Sequence, residues 1–345
     1  MKHFWFSVCL LLVSMGVKAQ IITADVHWHH RTIEVPGPRE KGGQLYSDAD
    51  GFIYLLQSRQ LLRFDGLSWS KYYQRTQKPT YSALAFFQGN LWVGTREGML
   101  LRAQHDSLLP YPLEEGWPQK PITAMCATAD WLFMATAGEG LYAYNGQRLL
   151  LIDEEDGLPD PMVSSLALHG KEVLAGTDMG IVAISIGENY KKKMRVLSTE
   201  PLVSAMHLSA SDWWLGFQSG ELGVLRQGEV TYLPQGDDDP IHKMIQVGED
   251  WWFSDKAGHL YTYEGSKLQT RRLLLKHADR TLRISDMLEG QNGMIWLSTN
   301  EGIRLIHPEW ELLPFPTPEA QIQALGQLGD GTLVAGTNKG CYRLD

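Results

Sequence analysis

Residues 91–102 read LWVGTREGMLLR, and the same arrangement returns as VLAGTDMGIVAI at 173–184, IWLSTNEGIRLI at 295–306 and LVAGTNKGCYRL at 333–344. Each stretch is an apolar segment ending on a small residue, a short polar turn, and a second apolar segment opening on glycine. Aligned on Gly98, the corresponding glycines are Gly140, Gly180, Gly220, Gly258, Gly302 and Gly340, and Gln60 takes that place in an eighth copy, FIYLLQSRQLLRF at 52–64. A period of about 40 residues is the mark of a repeat architecture.

The apolar pieces are short, rich in Val, Ile, Leu, Tyr and Trp, and bounded by Gly, Asn and Asp, which is the pattern of strands joined by tight turns. Asp50-Gly51, Gly89-Asn90, Gly170-Lys171, Asn292-Gly293 and Asp330-Gly331 precede one strand of the unit, and Asp65-Gly66, Asn145-Gly146, Gln227-Gly228 and Glu264-Gly265 follow a later one. Each unit therefore reads as a four-stranded antiparallel meander, and a unit of this size that cannot bury both faces alone is a propeller blade. The predicted fold is all-β, a single β-propeller of eight blades, with seven blades plus a decorated terminus as the alternative.

Large residues recur at one strand position, Tyr54, Trp92, Phe133, Trp214, Trp252 and Trp296, with Leu174 and Val334 in two copies. They are expected to wedge between neighbouring sheets. The small residues two positions on, Gly94, Ala135, Gly176, Gly216 and Gly336, leave room for the adjacent blade. The last copy stops at Asp345 after its third strand, so the segment His27 to Val35 is expected to supply the outer strand of the final blade and close the ring.

The first nineteen residues read as an export signal: Lys2, an apolar run from Phe4 to Val13, and the small-x-small site Val17-Lys18-Ala19. Residues 20–345 then form one propeller domain in a periplasmic or extracellular compartment. The chain carries a net charge of −9, which becomes about −11 once Lys2 and Lys18 are removed. That balance argues against nucleic acid or an anionic membrane as partner, and no later segment suits membrane insertion. Cys126 and Cys341 are expected to be buried free thiols, not a disulfide.

Asp156-Gly157-Leu158-Pro159 leads to Val163-Ser164-Ser165-Leu166 and then to Ala175-Gly176-Thr177, and Asp48-Ala49-Asp50-Gly51 precedes Phe64-Asp65-Gly66. These strings resemble the two-component regulator propeller repeat, which builds the extracytoplasmic sensor part of bacterial hybrid sensor kinases. The resemblance covers nearly all of the mature chain. It implies a recognition module without kinase or DNA-binding modules of its own, whose partner is a separate signalling kinase.

In a propeller, the turns between second and third strands and the connections between blades gather at one mouth of the central channel. That geometry nominates Arg59, Arg96, Glu97, Asp178, Lys256, Asn300 and Lys339 as ligand-binding, with Trp117 stacking on a sugar or peptide. The ligand is then an oligosaccharide or an envelope protein. No cofactor is indicated. His27 and His29 share a strand face, and Asp237-Asp238-Asp239 is acidic, but neither has the spacing of a metal site. Nucleophile-elbow, zinc-protease, phosphate-loop and sialidase motifs are absent, so the chain reads more as a binder than an enzyme. The alternatives are a carbohydrate lyase or hydrolase with His259 or His242 as base, and an envelope scaffold without a small ligand.

Overall fold

A computed structural model describes residues 22–26, 30–36, 42–74, 79–112, 116–199, 203–209, 212–233, 239–264, 269–277, 280–290, 293–306, 321–329 and 332–344. The export signal and the Trp28 cluster lie outside them. Six four-stranded units follow one another along the chain, with inner strands Gln44–Ser47, Tyr81–Phe87, Ile122–Ala127, Val163–His169, Val203–Ser209 and Ile241–Val247. These are blades 1 to 6. Blade 7 takes Ile284–Glu289, Ile295–Thr299 and Gly302–Ile306 from this end of the chain and His30–Ile33 from the other.

The apolar residues bury because each blade covers one face of the next. Seven separate hydrophobic clusters lie at seven blade junctions. Trp92 packs against Ile122 and Met125 of blade 3, and Trp252 is buried with Ile284 and Met287 of blade 7. The cluster holding Trp296 also holds Leu45, Leu55 and Phe64 of blade 1, so the seventh blade packs on the first. The wedge role of the large residues holds at each of these junctions. Room beside them is enforced sterically: a Cβ on Gly216 would stand 2.4 Å from Ile241 Cγ2, and one on Gly94 2.7 Å from Ile122 Cγ2.

The eight copies do form eight sheets, but among the described residues the hydrophobic clusters join seven of them. The eighth copy is a three-stranded sheet, Ile322–Gln327, Leu333–Thr337 and Gly340–Leu344. Its first strand is exposed along its length, with Leu325 at 67% where the corresponding Leu84 and Met287 are at 1% and 0%. The expected partner of the N-terminal strand is corrected accordingly. His30–Ile33 pairs antiparallel with Gly302–Ile306, the third strand of blade 7, not with the last strand of the chain. Arg304, 2% exposed, favours this pairing: its Nη1 donates to Thr32 Oγ1 at 2.6 Å across it, giving a buried guanidinium a partner that it would otherwise lack at that nitrogen. Upstream, Ile22–Val26 adds in parallel to the outer edge of blade 6. Both N-terminal strands cover edges that otherwise present unpaired backbone.

Candidate functional site

The turn between second and third strands is held by one repeated device. Thr136 donates to Gly140 O at 2.8 Å and accepts from Glu139 N at 3.0 Å, and Thr177, Thr299 and Thr337 make the same donation to Gly180, Gly302 and Gly340. The glycine has positive φ, 79° at Gly140, and a Cβ there would meet Ile152 O at 2.5 Å, so both conformation and space require it. The residue after the threonine donates its N–H to the strand lead-in of its own blade, as Arg96 does to Thr80 O and Asp178 to Met162 O. Turns and blade connections are thereby fastened together on one face of the ring.

A cavity of about 970 Å³ opens on that face. Its walls are the starts of inner strands and the turns beside them in blades 1, 2, 3 and 7, including Gln44, Gln57, Ser58, Ser82, Thr123 and Ser285. Arg59 and Arg96, both nominated from sequence, line it together. Glu97 is exposed beside them, but its two carboxylate oxygens accept from Thr80 N at 3.2 and 3.0 Å. Slight desolvation pushes this carboxyl upward, and the Thr80 hydrogen bonds outweigh it and hold the group below its usual range.

The other nominated residues are dispersed. Asp178 and Asn300 are half-buried in the corresponding turns of blades 4 and 7, and Asn300 Oδ1 accepts from Arg283 N at 2.9 Å, fastening a blade connection. Lys256 is exposed in the blade 6 turn and donates to Gln218 Oε1 of blade 5 at 3.1 Å. Lys339 belongs to the eighth sheet, away from the seven turns of the ring. Trp117 is corrected: it is 5% exposed in the junction of blades 2 and 3, its ring centroid 5.1 Å from that of Tyr144 and 5.9 Å from that of Tyr111. The connection folds the indole inward because its area is worth more against Tyr111 and Tyr144 than in water. Cys126 and Cys341 are both free, and Cys341 is exposed, contrary to expectation. Desolvation pushes the Cys126 thiol up to about 12.

Sequence reasoning missed the residues at the bulge one position into the inner strands of blades 2 to 7. Ser82, Thr123, Ser164, Ser204, His242 and Ser285 occupy it, each where the pairing register shifts. Thr123 Oγ1 donates to Val163 O at 2.6 Å, Ser164 Oγ to Val203 O at 2.8 Å, and Ser204 Oγ to Ile241 O, each reaching the next blade. The recurring Ser or Thr after the first apolar residue of the strand was the available signal.

Blade 6 departs from the device. Asp255, 2% exposed, stands in the threonine's place and accepts from His259 N at 2.8 Å, His259 Nδ1 at 2.8 Å and Tyr261 Oη at 3.1 Å. Asp239, from the acidic stretch whose other members lie outside the described residues, brings a ligand atom within 4.8 Å of those of Asp255 and His259. Three hydrogen bonds already occupy Asp255, and its pairing with His259 takes the place of the threonine staple.

No family model matches the chain, and no curated protein does. Solved structures do. The extracellular domain of the hybrid two component system BT4673 from B. thetaiotaomicron superposes with a TM-score of 0.68 at 19% identity, covering 92% of this chain and 46% of that one. The extracellular domain of the hybrid two component system BT3049 from the same organism gives 0.64 at 14% identity, covering 91% and 49%. A streptogramin B lyase gives 0.64 at 12% identity, covering 81% and 97%. The chain thus spans less than half the length of the two extracellular domains it resembles. At these identities the likeness is one of fold: the chain has the propeller fold found in the extracellular domains of bacterial hybrid two-component systems.

Proposed function

We propose that this chain is an exported recognition propeller of the sensor type, which seats a soluble oligosaccharide in the mouth cavity of blades 1, 2, 3 and 7 and passes the bound state to a separate signalling partner. The observation that carries the reading is the cavity itself: about 970 Å³, lined by hydroxyls, amides and two guanidinium groups on rigid strand ends. That volume and lining suit a small polar ligand, whereas a flat protein surface needs no such recess. Fold likeness to extracellular domains supports export, as do the residues of the N-terminal signal and, among the described residues, the lack of a helix long and apolar enough to cross a membrane. Screening the mature protein on an oligosaccharide array, alongside fractionation of its native complexes, tests this. Binding of at least one oligosaccharide, lost on the exposed cavity-lining change Ser58→Trp, is the expected result; no binding by any member of the array overturns it.

A second reading, a propeller lyase, is favoured by one observation. The buried Asp255 pins His259 Nδ1, the orientation that frees the other ring nitrogen to act as a base. Turnover of a uronate polysaccharide that disappears in His259→Ala would support it, and full turnover by that variant would remove His259 from consideration.

A further inference from the structure

We infer that the mouth cavity takes an anionic oligosaccharide, one bearing a carboxylate or a sulfate ester held between Arg59 and Arg96 with Ser82 completing the seat; this rests on the reading of the cavity as the ligand site.

Four observations converge. The charged side chains among the residues lining the cavity are Arg59 and Arg96, both positive, in a chain whose net charge is −9. A cationic recess in an acidic molecule is not the outcome of overall composition. Neither guanidinium forms an ion pair among the described residues, and the nearest carboxylate in sequence, Glu97, is outside the lining and committed to Thr80 N. Arg59 is the cation of the ring at a repeat position that is neutral in blades 4, 5 and 6, as Met179, Ser219 and Ala257, basic in the eighth copy as Lys339, and acidic in the other three blades. The residue before the turn glycine is Glu97 in blade 2, Glu139 in blade 3 and Glu301 in blade 7, and Glu139 fastens a blade connection by accepting from Gln119 N at 2.8 Å. Blade 1 gives up that fastening and presents a cation instead. Finally, Ser82 Oγ is buried with no hydrogen-bond partner among the described residues, although its counterparts Thr123, Ser164 and Ser204 all bond to the next blade. An unpaired buried hydroxyl in a cavity-lining residue costs free energy, which a χ1 rotation toward a bound ligand would recover.

Two guanidinium forks are matched to planar carboxylate and to tetrahedral sulfate alike, with paired N–H donors that a neutral hydroxyl cannot engage as strongly. The remaining lining of Gln44, Gln57, Ser58 and Ser285 supplies neutral hydrogen bonds of the kind sugar hydroxyls use.

The test is calorimetric titration of the mature chain with three probes: tetragalacturonate, which carries carboxylates, a κ-carrageenan oligosaccharide, which carries sulfate esters, and neutral cellotetraose. The expected result is binding of at least one acidic probe, weakening with added salt, and reduced about tenfold or more in Arg59→Ala/Arg96→Ala, as loss of a charge-assisted pair implies. Ser82→Ala should weaken it further, and Arg59→Lys/Arg96→Lys should restore part of it. Both arginines are exposed, so the variants should melt at the wild-type temperature. Whichever acidic probe binds identifies the anionic group. Acidic binding that survives Arg59→Ala/Arg96→Ala overturns the inference. If it also survives Ser58→Trp, the ligand sits elsewhere and the mouth reading falls with it. Cellotetraose bound as tightly as the acids, and lost in Ser58→Trp, overturns the charge inference while leaving the cavity as the ligand site. No binding of any probe overturns the inference, and the array screen then decides the cavity.

Discussion

Single residues in this chain act through their repeat position. Thr136 is fully buried and both donates to and accepts from its own turn. Thr136→Val keeps the shape but strands Glu139 N and leaves Gly140 O with the Thr136 backbone N–H alone, so it should lower stability by about 1–3 kcal/mol in urea unfolding. Gly216→Ala should cost about 1–3 kcal/mol by overpacking, because the new methyl has Ile241 of the next blade within 2.4 Å. Trp92, 3% exposed, should lose about 3–5 kcal/mol on truncation to alanine. Gly216 and Trp92 were legible in the sequence, since a residue type that recurs at a fixed place in most copies announces a shared environment. Trp117 was not, because the blade connections do not repeat and nothing periodic says which way an indole in one of them turns. The bulge residues were readable in principle as a recurrent Ser or Thr, but strand alternation alone treats them as ordinary channel-facing polar positions.

At the level of elements, the strand His30–Ile33 is the piece on which the ring depends. It covers the open edge of Gly302–Ile306 and places Ile33, 7% exposed, in the cluster shared by blades 7 and 1. Ile33→Asp should therefore open blade 7 before the others, seen as faster proteolysis within residues 284–306 while blades 3 and 4 stay protected in hydrogen exchange. Equal loss of protection in all blades would show that closure is not local. The sequence indicated that an N-terminal strand closes the ring, yet placed it on the wrong sheet. Two sheets lacked an outer strand, and the choice between them was made by a buried arginine facing Thr32, a tertiary match that no single copy encodes.

For the whole molecule, acid sensitivity follows from two histidines on inner strands. His207 is pulled below its ordinary 6.5 by burial and then by Lys243, and its ring lies edge-on to Trp251 at 5.1 Å. His242 is lowered chiefly by burial, with Asp286 opposing, Lys243 and Lys256 reinforcing, and the Ser285 backbone opposing. A depressed histidine is neutral in the fold while the unfolded chain takes up a proton, so its contribution is complete above about pH 6.5 and is lost as pH falls below it. The melting temperature should decline from pH 7.5 to 5.5, and His207→Gln should flatten that decline. The eighth sheet makes a separate prediction. With Ile322, Leu325, Leu328 and Leu333 at 40–67% exposure, it lends the ring little buried area. A chain ending after residue 320 should melt at the same temperature and aggregate less.

The pairing of Thr32 with Arg304 joins residues 272 apart. Blades 1 to 6 can each collapse from contiguous chain as it emerges, but blade 7 has no complete sheet until both of its distant parts exist. Bringing ends that far apart together carries a logarithmic length cost of about 5 kcal/mol for a flexible chain, less once the intervening blades are formed. Closure is therefore the high-contact-order event and the natural last step of folding. Until it occurs, the newly made molecule is an open arc with two sticky edges, and its half-life in that state, more than the strength of any blade, sets how readily neighbouring chains tangle.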